Sequence, residues 1–300
     1  MPAVTKAFIT AASLFSGLVL MPAGSVQADF LASPMELHLT DAPGSRGEAS
    51  VLLTNTGQDP LTVRLYLGDS RMRPEGGEEP VDAGAIPRSL AGWIDLDQQV
   101  HEIEPGESRA VTLRLTVPAD AEGSYWSKLY IEETSAPRAA TAEEQGRSYS
   151  VFMRQRVAVR LFEDIAGTGV LDAVVDQVGI EAVTENRPTI AVNVSNPGTL
   201  IARCTGRVEF HNERGEMIEE VPLGTRGEFW VFPEGRRELR ARPETALPAG
   251  TYTALAVVDF GGAHLAAGAT IVPIHPAPAR PGTRPPQPDR PPVPSPLPPP

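Results

Sequence analysis

The sequence contains a single cysteine, Cys204, among its 300 residues. One cysteine excludes an intramolecular disulfide, and the strand-like surroundings at residues 201–208 predict a small buried thiol. The alternative is a disulfide-linked dimer of a protein that we otherwise expect to be monomeric, since an oxidising compartment would permit an intermolecular disulfide.

Recognisable catalytic motifs are also absent. The sequence has no Gly-x-Ser-x-Gly, no His-Glu-x-x-His, no P-loop and no dinucleotide-binding glycine pattern. The five histidines have no ligand spacing, and Asp95 and Asp97 lack the glycine and further carboxylates of a calcium loop. We therefore expect a protein that is not an enzyme, with no catalytic residue, metal or cofactor.

Long apolar runs are missing beyond the N-terminus. Lys6 precedes an apolar stretch at residues 7–20, and Val26-Gln27-Ala28 has the small-x-small pattern of a cleavage site. We expect residues 1–28 to be a signal peptide and the mature chain to be exported to the periplasm. No later segment approaches the ~20 apolar residues that a membrane span requires.

Positive charge is scarce, because the formal net charge is −12. An acidic surface argues against nucleic acid and anionic membranes as main partners. The sequence therefore favours a protein partner in the cell envelope.

What the sequence does contain is a set of landmarks that occurs twice in the same order. Each copy has an apolar strand ending in Asn-x-Gly, then a Pro/Gly turn, then a Gly-Ser-Tyr or Gly-Thr-Tyr entry into a late strand. The copies lie at residues 51–57, 104–106 and 118–125, and at residues 192–198, 233–235 and 248–252. Asn and Gly tolerate positive φ, which tight strand connections need. The repeat predicts an all-β protein of two tandem immunoglobulin-like β-sandwich domains.

Apolar and polar residues alternate with the period of a strand at residues 61–67 and 109–117. Half of residues 273–300 are proline, which predicts a disordered, extended tail. The predicted organisation is a signal peptide at 1–28, sandwiches at 29–165 and 166–274, and a Pro-rich tail at 275–300.

A long strand is predicted at residues 151–162, after a polar and mobile segment at residues 135–147. One face of this strand includes Val151 and Met153, and the other carries Arg154, Arg156 and Arg160. An arginine face in an acidic protein is either a solvated surface or a binding surface.

Several short segments together resemble the PapD-like periplasmic pilus chaperones. They lie at residues 45–56, 89–94, 104–108, 159–162, 190–201 and 259–262. The resemblance covers most of the mature chain except the tail, and implies that the last strand of the first domain is lent to an unfinished subunit. It also implies a basic pair in the interdomain cleft that holds the subunit's terminal carboxylate.

Arg160 falls where one basic residue of this pair belongs, but Glu36 stands where the other is expected. Gln155 also weakens the apolar alternation of the donor strand. The resemblance predicts a periplasmic chaperone that binds exported subunits by strand addition, through Val151, Met153, Arg154, Arg156 and Arg160. The alternative is a structural or adhesive envelope protein with the sandwiches as spacers and the tail as a wall-spanning segment.

Overall fold

The computed structural model of the protein describes residues 30–135, 138–144 and 147–276, with the backbone alone at 138–144 and 147–153. The predicted signal peptide and residues 277–300 of the predicted disordered tail lie outside the described residues. None of the helices in the described part has the length and apolar character that crossing a membrane would require.

The first half of the described chain forms twelve strands and one short 3-10 helix at Ala91–Trp93. The strands are β1 (Phe30–Ser33), β2 (Glu36–Leu39), β3 (Arg46–Asn55), β4 (Leu61–Met72), β5 (Glu78–Val81), β6 (Ile94–Leu96), β7 (Val100–Ile103), β8 (Ser108–Thr116), β9 (Ser124–Glu133), β10 (Arg138–Glu144), β11 (Arg147–Met153) and β12 (Arg156–Asp164).

The second half forms eight strands. They are β13 (Val174–Thr184), β14 (Arg187–Ser195), β15 (Ala202–His211), β16 (Met217–Pro222), β17 (Glu228–Val231), β18 (Arg236–Ala241), β19 (Gly250–Asp259) and β20 (Ala266–Ile274). The all-β prediction is confirmed.

Two sheets form the first sandwich. One has the strand order β1-β3-β8-β6, and the other has the order β2-β12-β9-β4-β5 with β7 also pairing with β4. The predicted alternation is observed, because Val63 and Leu65 of β4 and Val111 and Leu113 of β8 are buried in one core. Burial of each such side chain contributes about 1.5–3 kcal/mol, which fixes the register of the strands.

The second sandwich has sheets of order β13-β14-β18 and β16-β15-β19-β20, with β17 also pairing with β15. Alternate residues of β14, Ile190, Val192 and Val194, are fully buried against Phe210 of β15. The strands pass from one sandwich to the next between Asp164 and Val174. The predicted domain limits near residue 165 stay predictions.

The repeated asparagines, Asn55 and Asn196, form the same set of hydrogen bonds in the two sandwiches. Asn55 and Asn196 are buried, and each donates through Nδ2 to the carbonyl four residues later and to a carbonyl of a distant segment, Ile103 or Val231. Each Oδ1 accepts the N–H two residues later at 2.8–2.9 Å. A buried amide with three hydrogen bonds satisfies backbone groups that the turn would otherwise leave unpaired.

The N-terminal segment contributes to both sheets of the first sandwich. β1 pairs antiparallel with β3, whereas β2 pairs parallel with β12 through the register Glu36↔Arg160 to Leu39↔Glu163. β2 therefore covers only the second half of the outer side of β12.

The predicted continuous strand at residues 151–162 is wrong in one respect. The structure has two strands, β11 and β12, with Arg154 and Gln155 between them in neither strand. The interruption coincides with contacts to Gln155, whose N–H donates to Glu133 Oε2 at 3.4 Å and whose Nε2 donates to Phe30 O at 3.1 Å.

The predicted mobile segment at residues 135–147 is also corrected, because most of it forms β10. β10 pairs antiparallel with β11 from Arg138↔Met153 to Glu144↔Arg147. This pairing extends the β9–β12 hairpin, and β11 has a strand neighbour over its whole length.

Cys204 is buried in the second core, as the sequence predicts. Burial raises the pKa of its thiol to about 12, with a smaller contribution from the charge of Asp259. The thiol is protonated at neutral pH, so a disulfide between two chains would require β15 to open.

Candidate functional site

The outer side of β12 is only partly covered by a neighbouring strand. β9 pairs with β12 over its whole length, but β2 pairs only from Arg160 onward. Among the described residues, no strand pairs with Arg156–Val159 on the outer side. An unpaired strand edge is a template for another strand.

The direction of the unpaired groups follows from the neighbouring hydrogen bonds. The N–H of Arg160 donates outward to Met35 O at 2.9 Å, and Gln155 O accepts from Glu133 on the β9 side at 2.9 Å. Because hydrogen-bonding direction alternates along a strand, the N–H and C=O of Arg156 and Ala158 point to the outer side. They match the groups that an added strand would use.

The side chains of β12 divide into two sets with different surroundings. Val157, Val159 and Leu161 pack in the core of the sandwich. Arg156, Ala158 and Arg160 lie on the opposite face, which leads toward the second sandwich. Of the three arginines of the predicted face, Arg156 and Arg160 lie on one face of β12, whereas Arg154 precedes the strand.

Arg160 is tied to two carboxylates within the chain. Its Nη1 donates to Glu36 Oε1 at 2.7 Å and its Nε donates to Glu78 Oε1 at 3.1 Å. Glu78 also forms an ion pair with Lys128, which lies opposite Arg160 on β9. The predicted anchor therefore has its charge balanced inside the protein.

Glu36, the residue that departs from the family pattern, is the partner that the structure gives to Arg160. Burial alone would raise the pKa of Glu36, but hydrogen bonds from Arg160 and His38 hold it below its usual value. Glu36 is therefore ionised at neutral pH and pairs with Arg160 across β2 and β12.

The remaining predicted residues have separate surroundings. Arg156 lies over the ring of Tyr130, 5.3 Å from its centroid, and Arg154 is exposed. Val151 and Met153 lie in β11, and their side chains are outside what the structure describes. The role of all five predicted residues in binding stays a prediction.

An aromatic cluster joins the two sandwiches at the end of β12. Phe162 contacts Trp230 with ring centroids 5.2 Å apart, and Trp126 contacts Phe232 at 4.8 Å. Phe162 and Phe232 are buried, although they lie outside both sandwich cores. Such ring pairs contribute about 0.5–1.5 kcal/mol beyond area burial, which favours a fixed arrangement of the two sandwiches.

Polar contacts add to this interface. The N–H of Ser124 donates to Thr199 O at 2.8 Å, and that of Glu238 donates to Pro74 O at 2.7 Å. The second contact ties the turn between β4 and β5 to β18. The two sandwiches are therefore joined by backbone hydrogen bonds at two separate places, with a cleft between the sandwiches.

The cleft contains a cavity of about 250 Å³. Its lining comes from both sandwiches and includes Arg160 and Met72 of the first and Trp230, Phe232 and Arg237 of the second. The cavity is thus lined by aromatic and charged groups. It adjoins Arg160, where the unpaired edge of β12 at Arg156–Val159 ends.

Sequence reasoning missed the residues that the second sandwich brings to this cleft. Trp230 lies in the short strand β17 and Phe232 directly follows it, whereas Arg237 is one of several arginines in residues 236–242. No local pattern distinguishes Arg237 from its neighbours. Glu78 was missed because it begins the short strand β5 in a glutamate-rich segment, 82 residues from Arg160.

No protein-family model and no curated protein matches the chain. Similar solved structures include a chain of the CsuC–CsuE chaperone–tip adhesion subunit pre-assembly complex from archaic chaperone-usher Csu pili of Acinetobacter baumannii. It is 16% identical, with 70% of this chain and 89% of that chain covered and a TM-score of 0.40.

The Class 5 fimbriae chaperone CfaA is 12% identical, with coverages of 82% and 100% and a TM-score of 0.43. A PapD-like domain of human CEP192 is 11% identical, with coverages of 53% and 97% and a TM-score of 0.30. Chaperones of pili and fimbriae thus occur among the similar structures. Since these TM-scores lie below 0.5, the function proposed below rests on the geometry of this chain.

Proposed function

We propose that this protein is a non-enzymatic, periplasmic chaperone-like protein that binds unfinished surface or pilus subunits by strand addition. The partner strand pairs with the outer side of β12 and continues along β11. Val151, Met153, Arg154, Arg156 and Arg160 are the proposed contact residues.

The open edge at Arg156–Val159 is the observation that supports this proposal most directly. The pairing of β2 with β12 starts only at Glu36 and Arg160, so β2 does not cover these four residues. The preceding strand, β1, pairs with β3 in the other sheet. The outward N–H and C=O groups of Arg156 and Ala158 supply main-chain hydrogen bonds to a partner, and alternate side chains supply specificity.

Arg160 marks the inner end of this edge. Its N–H is already used by Met35, and its guanidinium is held by Glu36 and Glu78. We therefore propose that Arg160 positions the partner's chain at the point where β2 begins to pair with β12. The charge of Arg160 is already balanced by Glu36 and Glu78 before the partner binds.

Ala158→Pro tests the proposal. Proline has no N–H and is tolerated in strands chiefly at edges, so it removes an outward donor while leaving the pairing with β9 intact. Ala158→Ser is the matched control, because it keeps the N–H and changes the side chain little. Both variants should show the wild-type strand content by circular dichroism.

The binding assay is capture of exported proteins from periplasmic extract by the full mature chain, followed by hydrogen exchange on the isolated complex. We expect wild type and Ala158→Ser to hold one subunit in stoichiometric amount, with the amides of Arg156 and Ala158 protected. Ala158→Pro should weaken the complex about tenfold or more, because it leaves a carbonyl of the partner buried without a donor, which costs about 1–3 kcal/mol. Equal binding by Ala158→Pro, or no stoichiometric subunit, would support the spacer function instead.

A further inference from the structure

Two adjoining cavities form an aromatic groove along β17. The first, of about 250 Å³, lies between the sandwiches, and the second, of about 370 Å³, shares Thr225, Glu228, Phe229 and Trp230 with it. Trp230 is half-buried, and so is Met72, which the first sandwich contributes to the lining. Grooves lined by aromatic side chains are the sites at which extended, proline-rich segments dock.

The proline-rich segment at residues 277–300 has a sequence period that suits such a groove. Polyproline II has three residues per turn, so residues three apart share one edge of the helix. The neighbouring edge carries Arg284 and Arg290. From residue 285 onward one edge is entirely apolar, and it consists of Pro285, Pro288, Pro291, Pro294, Leu297 and Pro300.

The end of β20 and the groove lie at opposite ends of the second sandwich. Ile274 pairs with Gly250 at the start of β19, whereas Trp230 pairs with Arg203, two residues before the first pairing of β15 with β19. Trp230 is therefore about 36 Å from Ile274 along the strands and about 14 Å from it across three strand spacings. The combined distance of about 39 Å corresponds to about 13 residues of polyproline II at about 3.1 Å per residue. Counted from Pro276, the residues from 290 onward reach Trp230.

Net charge favours this segment over a second copy of the folded chain. Residues 277–300 contain three arginines and one aspartate, so their net charge is +2 and the rest of the 300-residue chain carries −14. A second copy would bring another acidic surface to the groove, and like charges repel. A basic segment of the same chain is instead attracted to the acidic sandwiches.

The charges of the groove leave one carboxylate for an arginine of this segment. Glu228 borders both cavities and is exposed, and it takes no part in the ion pairs that neutralise Arg160. The charge of Glu75 acts on Arg237. Arg226 lines only the second cavity, so an arginine that enters the first cavity can lie beside Glu228.

We propose that residues 290–297 of the same chain dock in this groove as a polyproline II helix. Their apolar edge packs against Trp230, and Arg290 lies beside Glu228. The contact forms within one molecule and needs no exported subunit, so it is independent of strand addition.

Site-specific fluorescence tests the contact in the full mature chain. A bimane label on Ser295→Cys reports contact with tryptophan, which quenches bimane at short range. The native Cys204 is buried with a protonated thiol and therefore resists labelling. A label on Thr283→Cys is the matched control, because a residue seven positions after Pro276 spans only about 22 Å and cannot reach the groove.

Tethering gives the segment a local concentration of about millimolar, so a contact with a dissociation constant of about 1 mM forms in about half of the molecules. We therefore expect Trp230→Phe to raise the emission of the label at position 295 about twofold and to leave the label at position 283 unchanged. Glu228→Gln should raise the emission at position 295 by less, because an exposed ion pair contributes little. Glu213→Gln, at an exposed glutamate in the turn after β15, should not raise it.

Proline substitutions test the apolar edge without changing the groove. Pro291→Ser combined with Pro294→Ser should also raise the emission at position 295 about twofold, since both prolines lie on the apolar edge. Pro292→Ser combined with Pro298→Ser is the matched control, because these two prolines lie on another edge. Thermal unfolding verifies that each variant is folded.

Three results would overturn the inference: emission that neither Trp230→Phe nor the first proline pair changes, an equal rise with both proline pairs, or quenching that fades on dilution. The last result would mean that the groove takes the segment from a second copy. Because no subunit is present in these measurements, they leave the outcome of the capture experiment with Ala158→Pro unaffected.

Discussion

Glu163 makes the first sandwich less stable as the pH rises toward neutrality, and this effect can be measured. The residue is fully buried at the end of β12, where its Oε1 accepts the N–H of Asp41 at 2.7 Å. Its Oε2 is buried without a partner. Burial raises the pKa of Glu163 to about 7, the Asp41 N–H opposes this rise, and the charges of Asp41 and Asp164 add to it.

The sign of the effect follows from counting protons. Below about pH 4.5 both the folded and the unfolded chain hold the Glu163 proton, so ionisation costs nothing. Between about 4.5 and 7 the folded chain keeps a proton that the unfolded chain has lost, and stability falls as pH rises. The pKa moves from 4.5 to about 7, and at 1.36 kcal/mol per pKa unit the loss is about 3 kcal/mol in total.

The test is urea unfolding of wild type and Glu163→Gln across this pH range. Glutamine keeps the acceptor for Asp41 and does not titrate, so its amide adds only a constant offset. We expect the free energy of unfolding of wild type, minus that of the variant, to fall by about 3 kcal/mol between about pH 4.5 and 8.

Glu102→Gln is the control, because Glu102 is an exposed glutamate on β7. The free energy of unfolding of Glu102→Gln should change with pH in parallel with that of wild type. A difference between wild type and Glu163→Gln that is constant over the range would refute the reasoning, because it would mean that Glu163 titrates alike in the folded and unfolded chain.

Two further predictions concern stability. Asn55→Ala and Asn196→Ala should each lower the free energy of unfolding by about 2–4 kcal/mol, because each leaves buried backbone groups unpaired. Asn212→Ala, in an exposed turn, is the control and should cost less than about 1 kcal/mol. Denaturant titration measures all three variants. Phe232→Ala should cost about 3–5 kcal/mol by emptying the aromatic cluster between the sandwiches, and calorimetry that finds an unchanged melting temperature would show that the cluster does not hold them together.

The parts of the fold that could be predicted from the sequence depend on local chemistry. Val63, Leu65, Val111 and Leu113 follow the period of a strand, and the structure buries them as predicted. Asn55 and its repeat Asn196 could be recognised because an asparagine that accepts the N–H two residues later is a local turn pattern that few residue types can form.

The interruption of the predicted long strand could not be predicted from the residues next to it in the sequence. Apolar residues stand at odd-numbered positions both before and after Arg154 and Gln155, so the alternation of apolar and polar residues continues through the break. The contacts around Gln155 come from Glu133 and Phe30, and Phe30 lies 125 residues away.

The charges of the candidate site were beyond sequence reasoning for the same reason. Arg160 could be singled out, but its partner Glu78 lies on β5, and only the pairing of β5 with β4 brings Glu78 close to Arg160. Arg237 becomes distinctive only when the second sandwich is placed against the first. Electrostatic pairing depends on such placement, whereas alternation depends on neighbours along the chain.

The split of the N-terminal segment between two sheets has a consequence for the order of folding. Glu36 on β2 is 124 residues from Arg160, its partner on β12. During synthesis, one of the first segments to emerge must therefore wait for one of the last strands of its own sandwich. Contacts between such distant residues slow folding, because the intervening chain must be closed into a loop. Until that closure, β9 also lacks its neighbour β12, and we expect the nascent first sandwich to be most vulnerable to wrong pairing in this interval.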